Sequence, residues 1–290
     1  MSNYDDQTIH TNVMLVELRM SQWTARKQDK RVGEAVAAAN HVDQNVGNYY
    51  KSLLDPAILK SIKQIVNEAR GRYYRMTLPW SDEGPRVLPS AMYFEFMEAM
   101  QGYCVKFEKL VNEFLSDYPF HREEAKRFLG NLFNEDDYPE PTQLAGKFGF
   151  SLNVMPLPRS NDFRCDLGEE EVDRVRKQIE AQTAATMQRS VKETFDRILE
   201  IAERYVDRLS ESDGIFRNSM VESAAELAEL VPKLNFTNDP DLARLGEVLK
   251  DKLAAHDPDT LRTNMGARKE AATAAKSVVS DIESIFGGRT

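Results

Sequence analysis

Apolar residues alternate at intervals of three and four along two segments of the chain. The first begins at Asp55–Pro56, an N-cap followed by proline at the first helical position. Its apolar positions are Leu59, Ile62, Val66, Ala69, Tyr73 and Met76. The second runs from 90 to 118, with Tyr93, Met97, Met100, Cys104, Phe107, Val111, Phe114 and Tyr118. This spacing lines one helix face, so both segments are predicted to be amphipathic helices that pack against partner helices.

A longer apolar stripe follows residues 166–209, which we predict to be the longest helix. It starts at a capping box formed by Asp166 and Glu169. The stripe consists of Val172, Val175, Ile179, Thr183, Met187, Val191, Phe195, Ile198, Ala202, Tyr205 and Leu209. Its middle intervals are all four, so the stripe drifts around the helix. We expect its environment to change at 183–187. We also expect the distal part, 187–209, or the C-terminal helix to mediate self-association or binding of another protein.

Shorter helices are predicted over 214–232, 240–255 and 258–286. The last two start with Asp239–Pro240 and Asp257–Pro258, again an N-cap followed by proline. Two segments, 13–20 and 148–157, have the composition and alternation of β-strands, and we predict that they pair. The predicted fold class is mainly α: an elongated bundle of long amphipathic helices with a small two-stranded β element.

The domain organisation follows from the position of the long helix. An N-terminal helical region with the β element would occupy 1–165, and the long helix with the C-terminal helices would occupy 166–290. One continuous elongated domain is the alternative, since 290 residues allow either arrangement.

Composition limits the partners. The formal net charge of −9 counts against a protein that wraps nucleic acid, because lysine and arginine supply most of that binding free energy. The polar, acidic N-terminus lacks the pattern of a signal peptide. No apolar run approaches the roughly 20 residues that span a bilayer. We therefore expect a cytoplasmic protein that does not bind membranes.

No motif indicates catalysis, a metal or a cofactor. The four histidines lie in unrelated segments, without the spacing of a metal site. The patterns of a phosphate-binding loop, GxxxxGK[ST], and of a nucleophile elbow, GxSxG, are absent. The acidic residues Glu135, Asp136, Asp137 and Glu140 lack the alternating oxygen ligands of a calcium loop, so we interpret them as a solvated loop. We expect a non-enzymatic protein without metal or cofactor.

Basic and aromatic residues cluster at two places. The basic–aromatic patch consists of Arg19, Trp23, Arg26, Lys27, Lys30 and Arg31, and of Arg70, Arg72 and Arg75 with the neighbouring Tyr73 and Tyr74. Such mixtures bind single-stranded nucleic acid through base stacking and phosphate contacts. The alternative is structural, because arginines at a helix end complement the helix dipole. If both clusters lie on one face of the protein, binding of nucleic acid becomes the favoured interpretation. The net charge of −9 predicts that any such binding is weak at physiological salt.

A second candidate surface is apolar. Trp80 lies in the proline-rich segment 77–90 and either forms a binding hot spot or folds back over the core. The other members lie on the distal half of the long helix: Met187, Val191, Phe195 and Ile198. We predict that a protein partner, or a second copy of the chain, covers these side chains.

The run NEARGRYYRMTLPWSDEGPRVLPSAMYFEFM, at 67–97, resembles a family of uncharacterised phage and proteobacterial proteins, a domain of unknown function. VELRMSQWTARKQDKRV, YPEPTQLAGKFGFSLNVMPLP and DGIFRNSMVES are similar to it as well. Genes of this family tend to lie beside a MoxR-type AAA+ ATPase and a von Willebrand factor A-like protein. The resemblance implies an adaptor or assembly protein that partners such an ATPase, in the bacterial host cell if phage-encoded. The alternative is a nucleic-acid-binding protein of phage replication or recombination.

Overall fold

The computed structural model describes residues 10–81, 83–162, 168–210 and 217–287. Helices make up most of these residues, which confirms the mainly α prediction. The helices are α1 (Lys30–Ala39), α2 (Lys60–Met76), α3 (Tyr93–Leu129), α4 (Pro141–Ala145), α5 (Glu169–Ser210), α6 (Asn218–Leu234), α7 (Pro240–Val248), α8 (Pro258–Thr263) and α9 (Met265–Gly287). The strands are β1 (Val13–Ser21), β2 (Arg26–Gln28), β3 (Tyr50–Ser52), β4 (Leu78–Pro79), β5 (Arg86–Pro89) and β6 (Gly149–Met155).

The main sheet has four strands in the order β4-β5-β1-β6. The two predicted strands, β1 and β6, are neighbours in it as expected. The predicted size of the β element is wrong, because β4 and β5 extend the sheet and β2 pairs separately with β3. Strand β5 runs antiparallel to β1, with Val13 opposite Pro89 and Val16 opposite Arg86.

The two additional strands were not predicted because each contains a proline, a residue that argues against a strand in the sequence. Pro79 lies in β4, an edge strand, where a missing backbone donor is tolerated. Pro89 is the last residue of β5. Leu78 and Val87 are opposite each other and both are fully buried, so apolar burial holds this hairpin together.

The chain divides into two compact units that each combine separate segments. The described residues of the first unit fall in Met1–Glu17, Tyr74–Phe96 and Asn153–Thr290, and those of the second in Leu18–Tyr73 and Met97–Leu152. The boundary predicted at 165/166 lies outside the described residues, together with the predicted cap Asp166.

Side chains of α2 and α3 form the core of the second unit. Its buried members include Ile62, Val66, Phe107, Val111, Phe114 and Tyr118, all from the two predicted apolar seams. The hydroxyl of Tyr118 donates to the carbonyl of Pro139 at 2.9 Å, and that of Tyr138 donates to the carbonyl of Leu53 at 2.6 Å. Both buried hydroxyls thus have acceptors, which offsets the cost of removing them from water.

In the first unit, α9 covers the C-terminal part of α5. The apolar stripe of α5 is buried from 187 onward, at Met187, Val191, Phe195, Ile198, Ala202, Tyr205 and Leu209. The rings of Phe195 and Phe286 meet edge to face at 5.3 Å. The hydroxyl of Tyr205 donates to the carbonyl of Leu253 at 2.8 Å. By contrast, none of residues 169–185 is buried, so the predicted change of environment falls where burial begins.

Two predicted helix ends differ from the structure. Helix α2 begins at Lys60, because Asp55 caps a separate turn in which its carboxylate accepts from the amide of Ala57 at 2.9 Å. Helix α3 continues through Pro119 to Leu129. Ala125, beyond that proline, is buried in the core of the second unit, which favours continuation of the helix.

The C-terminal helices are also subdivided. The predicted segment 240–255 contains α7 and a turn of π-helix at Leu249–Leu253. The predicted segment 258–286 is two helices, because the side chain of Asn264 accepts from the amide of Gly266 at 2.9 Å and caps α9. The start predicted at 214 lies outside the described residues.

None of the helices in the described ranges is long and apolar enough to cross a membrane.

The continuity of α5 can be tested with a proline. Val191→Pro removes a helical hydrogen bond at a buried position and introduces a ring clash, so we expect a loss of about 3 kcal/mol or more of unfolding free energy. Glu169→Pro is the matched control, because proline is tolerated at a first helical position. Thermal unfolding followed by circular dichroism measures both variants, and equal melting temperatures would contradict a continuous helix.

Candidate binding surface

A two-stranded ribbon, β2 with β3, lies in the second unit. The strands are antiparallel, with Arg26 opposite Ser52 and Gln28 opposite Tyr50. Since side chains alternate along a strand, Arg26, Gln28 and Tyr50 belong to one face of the ribbon. The central pair, Lys27 opposite Lys51, belongs to the other face. The ribbon therefore has an outer face, which carries the three exposed residues, and an inner face, which carries the two lysines.

The inner face is anchored by a buried ammonium group. Lys51 is only 7% exposed, and its Nζ lies 2.8 Å from Asp137 Oδ2 and 3.3 Å from Asp29 Oδ2. It also donates to the carbonyl of Leu132 at 2.7 Å. The second carboxylate oxygen of Asp137 accepts from Lys27 at 2.6 Å. Two carboxylates and one carbonyl thus compensate the buried charge.

The pKa values of this cluster reflect the pairing. Burial lowers the pKa of Lys51, but hydrogen bonds to Asp137 and Asp29 outweigh it, and the pKa lies above its ordinary value. Burial raises the pKa of Asp137, but hydrogen bonds from Lys27 and Lys51 outweigh it, and the pKa lies below its ordinary value. For Asp29, the amide of Val32 contributes most to a lowered pKa. All of these groups are therefore charged near neutral pH.

Asp29 also defines the base of a projecting segment, residues 30–49, which we call the arm. Its carboxylate caps α1 by accepting from the amide of Val32 at 3.2 Å. Its own amide donates to the carbonyl of Tyr49 at 2.9 Å, which joins the two ends of the arm. The side-chain amides of Gln28 and Asn48 are hydrogen-bonded at 2.7 Å beside this contact.

Local interactions shape the arm. Helix α1 is rich in alanine, the residue with the highest helix propensity, and only Ala37 is buried. The helix stops where His41 adopts a left-handed conformation, with φ of 52°. The carboxylate of Asp43 then accepts from the amide of Asn45 at 2.8 Å and forms a turn. The arm thus folds through caps and turns, with little contribution from the core.

The arm and the adjoining strand expose apolar side chains. Among the described residues, twelve large hydrophobic side chains are exposed, and five of them lie between 36 and 50. These five are Val36, Val42, Val46, Tyr49 and Tyr50. Val46 is the extreme case at 71% exposure. Single exposed apolar residues need no explanation, but a concentration in 15 residues indicates a contact surface.

The predicted basic–aromatic patch is only partly a surface. Trp23 packs in the core, with its ring 5.9 Å from that of Tyr118, and Lys27 is paired with Asp137. Arg70 donates to the carbonyl of Met20 at 3.3 Å, so the second predicted cluster contacts the backbone at the start of the first.

The remaining members of this patch fall into different environments. Arg75 lies in the first unit and pairs with Glu226 at 2.8 Å. Arg19, Arg26, Lys30 and Arg31 are exposed, and Arg72 is half-buried. Arg26 lies over the ring of Tyr50, 5.9 Å from its centre. The sequence therefore identified these cations but missed the aromatic residue that accompanies Arg26.

The predicted apolar partner surface on α5 is wrong. Its four members, Met187, Val191, Phe195 and Ile198, are buried within the chain. Phe195 packs on Phe286 of α9, and the neighbouring Ser190 donates to the carbonyl of Pro79 in β4 at 2.7 Å. Trp80 is half-buried and follows β4 directly. Its role in binding another protein stays a prediction.

The prediction of a solvated acidic loop is wrong for Asp137, although Glu135, Asp136 and Glu140 are exposed. The side chain of Asp137 is 4% exposed and holds two lysines, while Glu135 pairs with Arg122 at 2.6 Å. Within the described ranges, no group of three histidine, cysteine, aspartate or glutamate side chains could hold a metal ion. The arm was not among the surfaces predicted from the sequence. Its available signal was Val42 and Val46, two valines in a stretch rich in asparagine after α1.

A groove in the first unit has its charged groups already paired. It measures about 350 Å³ and lies over Ile201, Leu227 and Leu230. Its rims consist of the ion pairs Arg75–Glu226, Arg197–Glu193 and Arg204–Glu200. Arg197 also donates to the carbonyls of Tyr74, Arg75 and Thr77, which end α2. The charged residues of the groove are therefore already engaged in contacts within α5 and between α5, α6 and the C-terminal end of α2.

Comparison with protein-family models, curated proteins and solved structures gives no significant match. The function of the chain is therefore inferred from the geometry of its candidate surfaces. Of these, the arm and the outer face of the ribbon combine exposure with the residue types that bind other molecules.

Removal of the anchoring charge tests the role of Lys51. Lys51→Met removes the cationic partner of Asp137 and Asp29 and the donor to the carbonyl of Leu132, so we expect a loss of about 2 kcal/mol of unfolding free energy. Lys63→Met, at an exposed position of α2, is the control and should leave stability nearly unchanged. Urea unfolding of the whole chain gives both values. A Lys51→Met variant as stable as the control would show that the cluster is dispensable.

The same cluster predicts a pH dependence. Because the pKa of Asp137 is lowered in the folded state, its contribution to stability is present above the unfolded-state pKa of about 3.9 and is lost as the pH falls through the folded-state value. Asp137→Asn lacks this contribution. We therefore expect the difference in melting temperature between wild type and Asp137→Asn to be largest near neutral pH and to shrink below about pH 4. A difference that is constant over this range contradicts the assignment.

Proposed function

We propose that this protein is a non-enzymatic adaptor or assembly protein that binds another protein through its arm. The observation that carries the proposal is the concentration of Val36, Val42, Val46 and Tyr49 on a projecting segment that the rest of the chain leaves exposed. Burying one valine side chain contributes about 1.5 kcal/mol or more. Tyr49 is of a residue type that is enriched at interface hot spots, and the three valines add apolar area to the same segment.

The construction of the arm supports a docking role. Its ends are joined at Asp29 and Tyr49, and the ribbon below it is anchored by Lys51. A segment held at its base loses less conformational entropy on binding than a free loop does. Its apolar side chains are exposed, so they are available to a partner without any rearrangement of the core.

The resemblance to the phage and proteobacterial family suggests the partner, a MoxR-type AAA+ ATPase. In this proposal the adaptor acts in the cytoplasm of a bacterial cell, and its helices form an elongated bundle. Self-association through the arm is the variant of the proposal in which the partner is a second copy of the chain.

The interaction can be tested with purified proteins. We expect the chain and a MoxR-type ATPase from the same genome to form a complex that light scattering after size exclusion detects as a species heavier than either component. The double variant Val36→Asp with Val46→Asp should abolish the complex, because two carboxylates would be buried in an apolar contact. Phe128→Asp changes an exposed phenylalanine of α3 and serves as the matched control, which should bind like wild type.

Excision of the arm provides an independent variant. Residues 30–48 can be replaced by Asn-Gly, because Asp29 and Tyr49 already form a hydrogen-bonded pair that a two-residue turn can connect. This variant keeps the Lys51 cluster, so it should unfold at a temperature close to wild type and fail to bind. The proposal is overturned if the wild-type chain forms no complex with the ATPase. It is also overturned if wild type and both arm variants bind the ATPase equally. The mass of the chain alone, measured across concentrations, decides between a second copy and a different partner.

A further inference from the structure

The outer face of the ribbon presents an aromatic ring together with cations. Tyr50 is 50% exposed, and the guanidinium of Arg26 lies over its ring at 5.9 Å. Tyr49 is also exposed, directly before the strand. The exposed side chains of Lys30 and Arg31 follow in the first turn of α1. Rings and cations therefore occur together at the base of the arm.

The local charge differs in sign from that of the whole chain. Residues 18–73 contain ten lysines and arginines against five aspartates and glutamates, although the net charge of the chain is −9. One of those five acids, Asp29, is paired with Lys51. On the inner face, Asp137 is buried and holds Lys27 and Lys51. The two acids that contact the ribbon, Asp29 and Asp137, are thus paired with lysines and oppose an anion at the outer face only weakly.

We infer that the outer face of the ribbon, with Tyr50 and Arg26 at its centre, binds single-stranded nucleic acid. An unpaired base stacks on the exposed ring of Tyr50, and phosphates bind Arg26, Lys30 and Arg31. The amides of Gln28 and Asn48, hydrogen-bonded to each other at 2.7 Å, lie beside the ring and provide polar contacts for the backbone. This activity is separate from the docking of a protein on the valines of the arm.

Single strands fit this surface better than duplexes or acidic proteins. In a duplex the bases are stacked on each other, and an aromatic ring has no exposed base to contact. An acidic peptide would satisfy the cations but would leave the ring without a stacking partner. The combination of an exposed ring with cations therefore favours unpaired bases.

Binding can be measured by fluorescence anisotropy with a labelled oligothymidylate of about 20 nucleotides. We expect Tyr50→Ala to weaken the affinity by about fivefold or more, and Tyr50→Phe to retain it, because phenylalanine preserves the stacking face. Contacts of three cations with phosphates predict a slope of about −2 when the logarithm of the association constant is plotted against the logarithm of the salt concentration. In Arg26→Gln the slope should be shallower by about 0.7. The affinity should therefore fall steeply between low and physiological salt.

Two variants control for general effects. Phe120→Ala removes an exposed aromatic ring from α3, and Lys63→Gln removes an exposed cation from α2. Both should bind like wild type. A duplex of the same sequence length and polyglutamate, used as competitors, should displace the oligothymidylate poorly.

Four outcomes overturn the inference: no binding at low salt, equal affinity of Tyr50→Ala and wild type, equal loss in the control variants, or equal competition by duplex or polyglutamate. Equal competition by polyglutamate would identify the face as a site for an acidic protein. The double variant of the arm valines, Val36→Asp with Val46→Asp, should still show stacking-dependent binding. The two proposed activities can thus fail separately.

Discussion

The buried ammonium of Lys51 is the contact on which the second unit's binding surfaces depend. A lysine in this position must keep a charge that water no longer stabilises, and it does so through Asp29, Asp137 and the carbonyl of Leu132. Asp29 directly precedes α1, whereas Leu132 and Asp137 belong to the segment around the acidic loop. The single charge therefore fixes the ribbon, the start of α1 and the acidic loop to one another.

The properties of the arm follow from that arrangement. Because its base is held by polar contacts and its helix by the Asp29 cap, the arm does not need its valines for its own stability. Those side chains can remain exposed without loss of structure. A segment that depended on Val46 for folding would have to bury it, whereas this side chain is 71% exposed. The polar anchor and the apolar surface thus have separate roles.

Sequence periodicity predicted the core of the second unit well, because regular spacing on a helix reports burial directly. The residues at 62, 66, 107 and 114 are examples. It did not predict which loop acid is buried, since Lys51 and Asp137 are 86 positions apart and nothing local marks their pairing. It also misplaced the partner surface on α5. A stripe shows that Phe195 must be covered, but it does not show that α9 of the same chain covers it.

The two candidate surfaces differ in the physical origin of their affinity. Contacts of Val36 and Val46 would act through removal of apolar area from water, which salt does not screen. Contacts of Arg26 and Lys30 with phosphates release counterions and weaken as salt rises. Since the arm and the ribbon adjoin at Asp29 and Tyr49, one protein can hold an apolar partner continuously and a nucleic acid only at low ionic strength. Salt dependence, measured separately for each partner, therefore distinguishes a protein-binding adaptor from a nucleic-acid-binding protein more directly than affinity does.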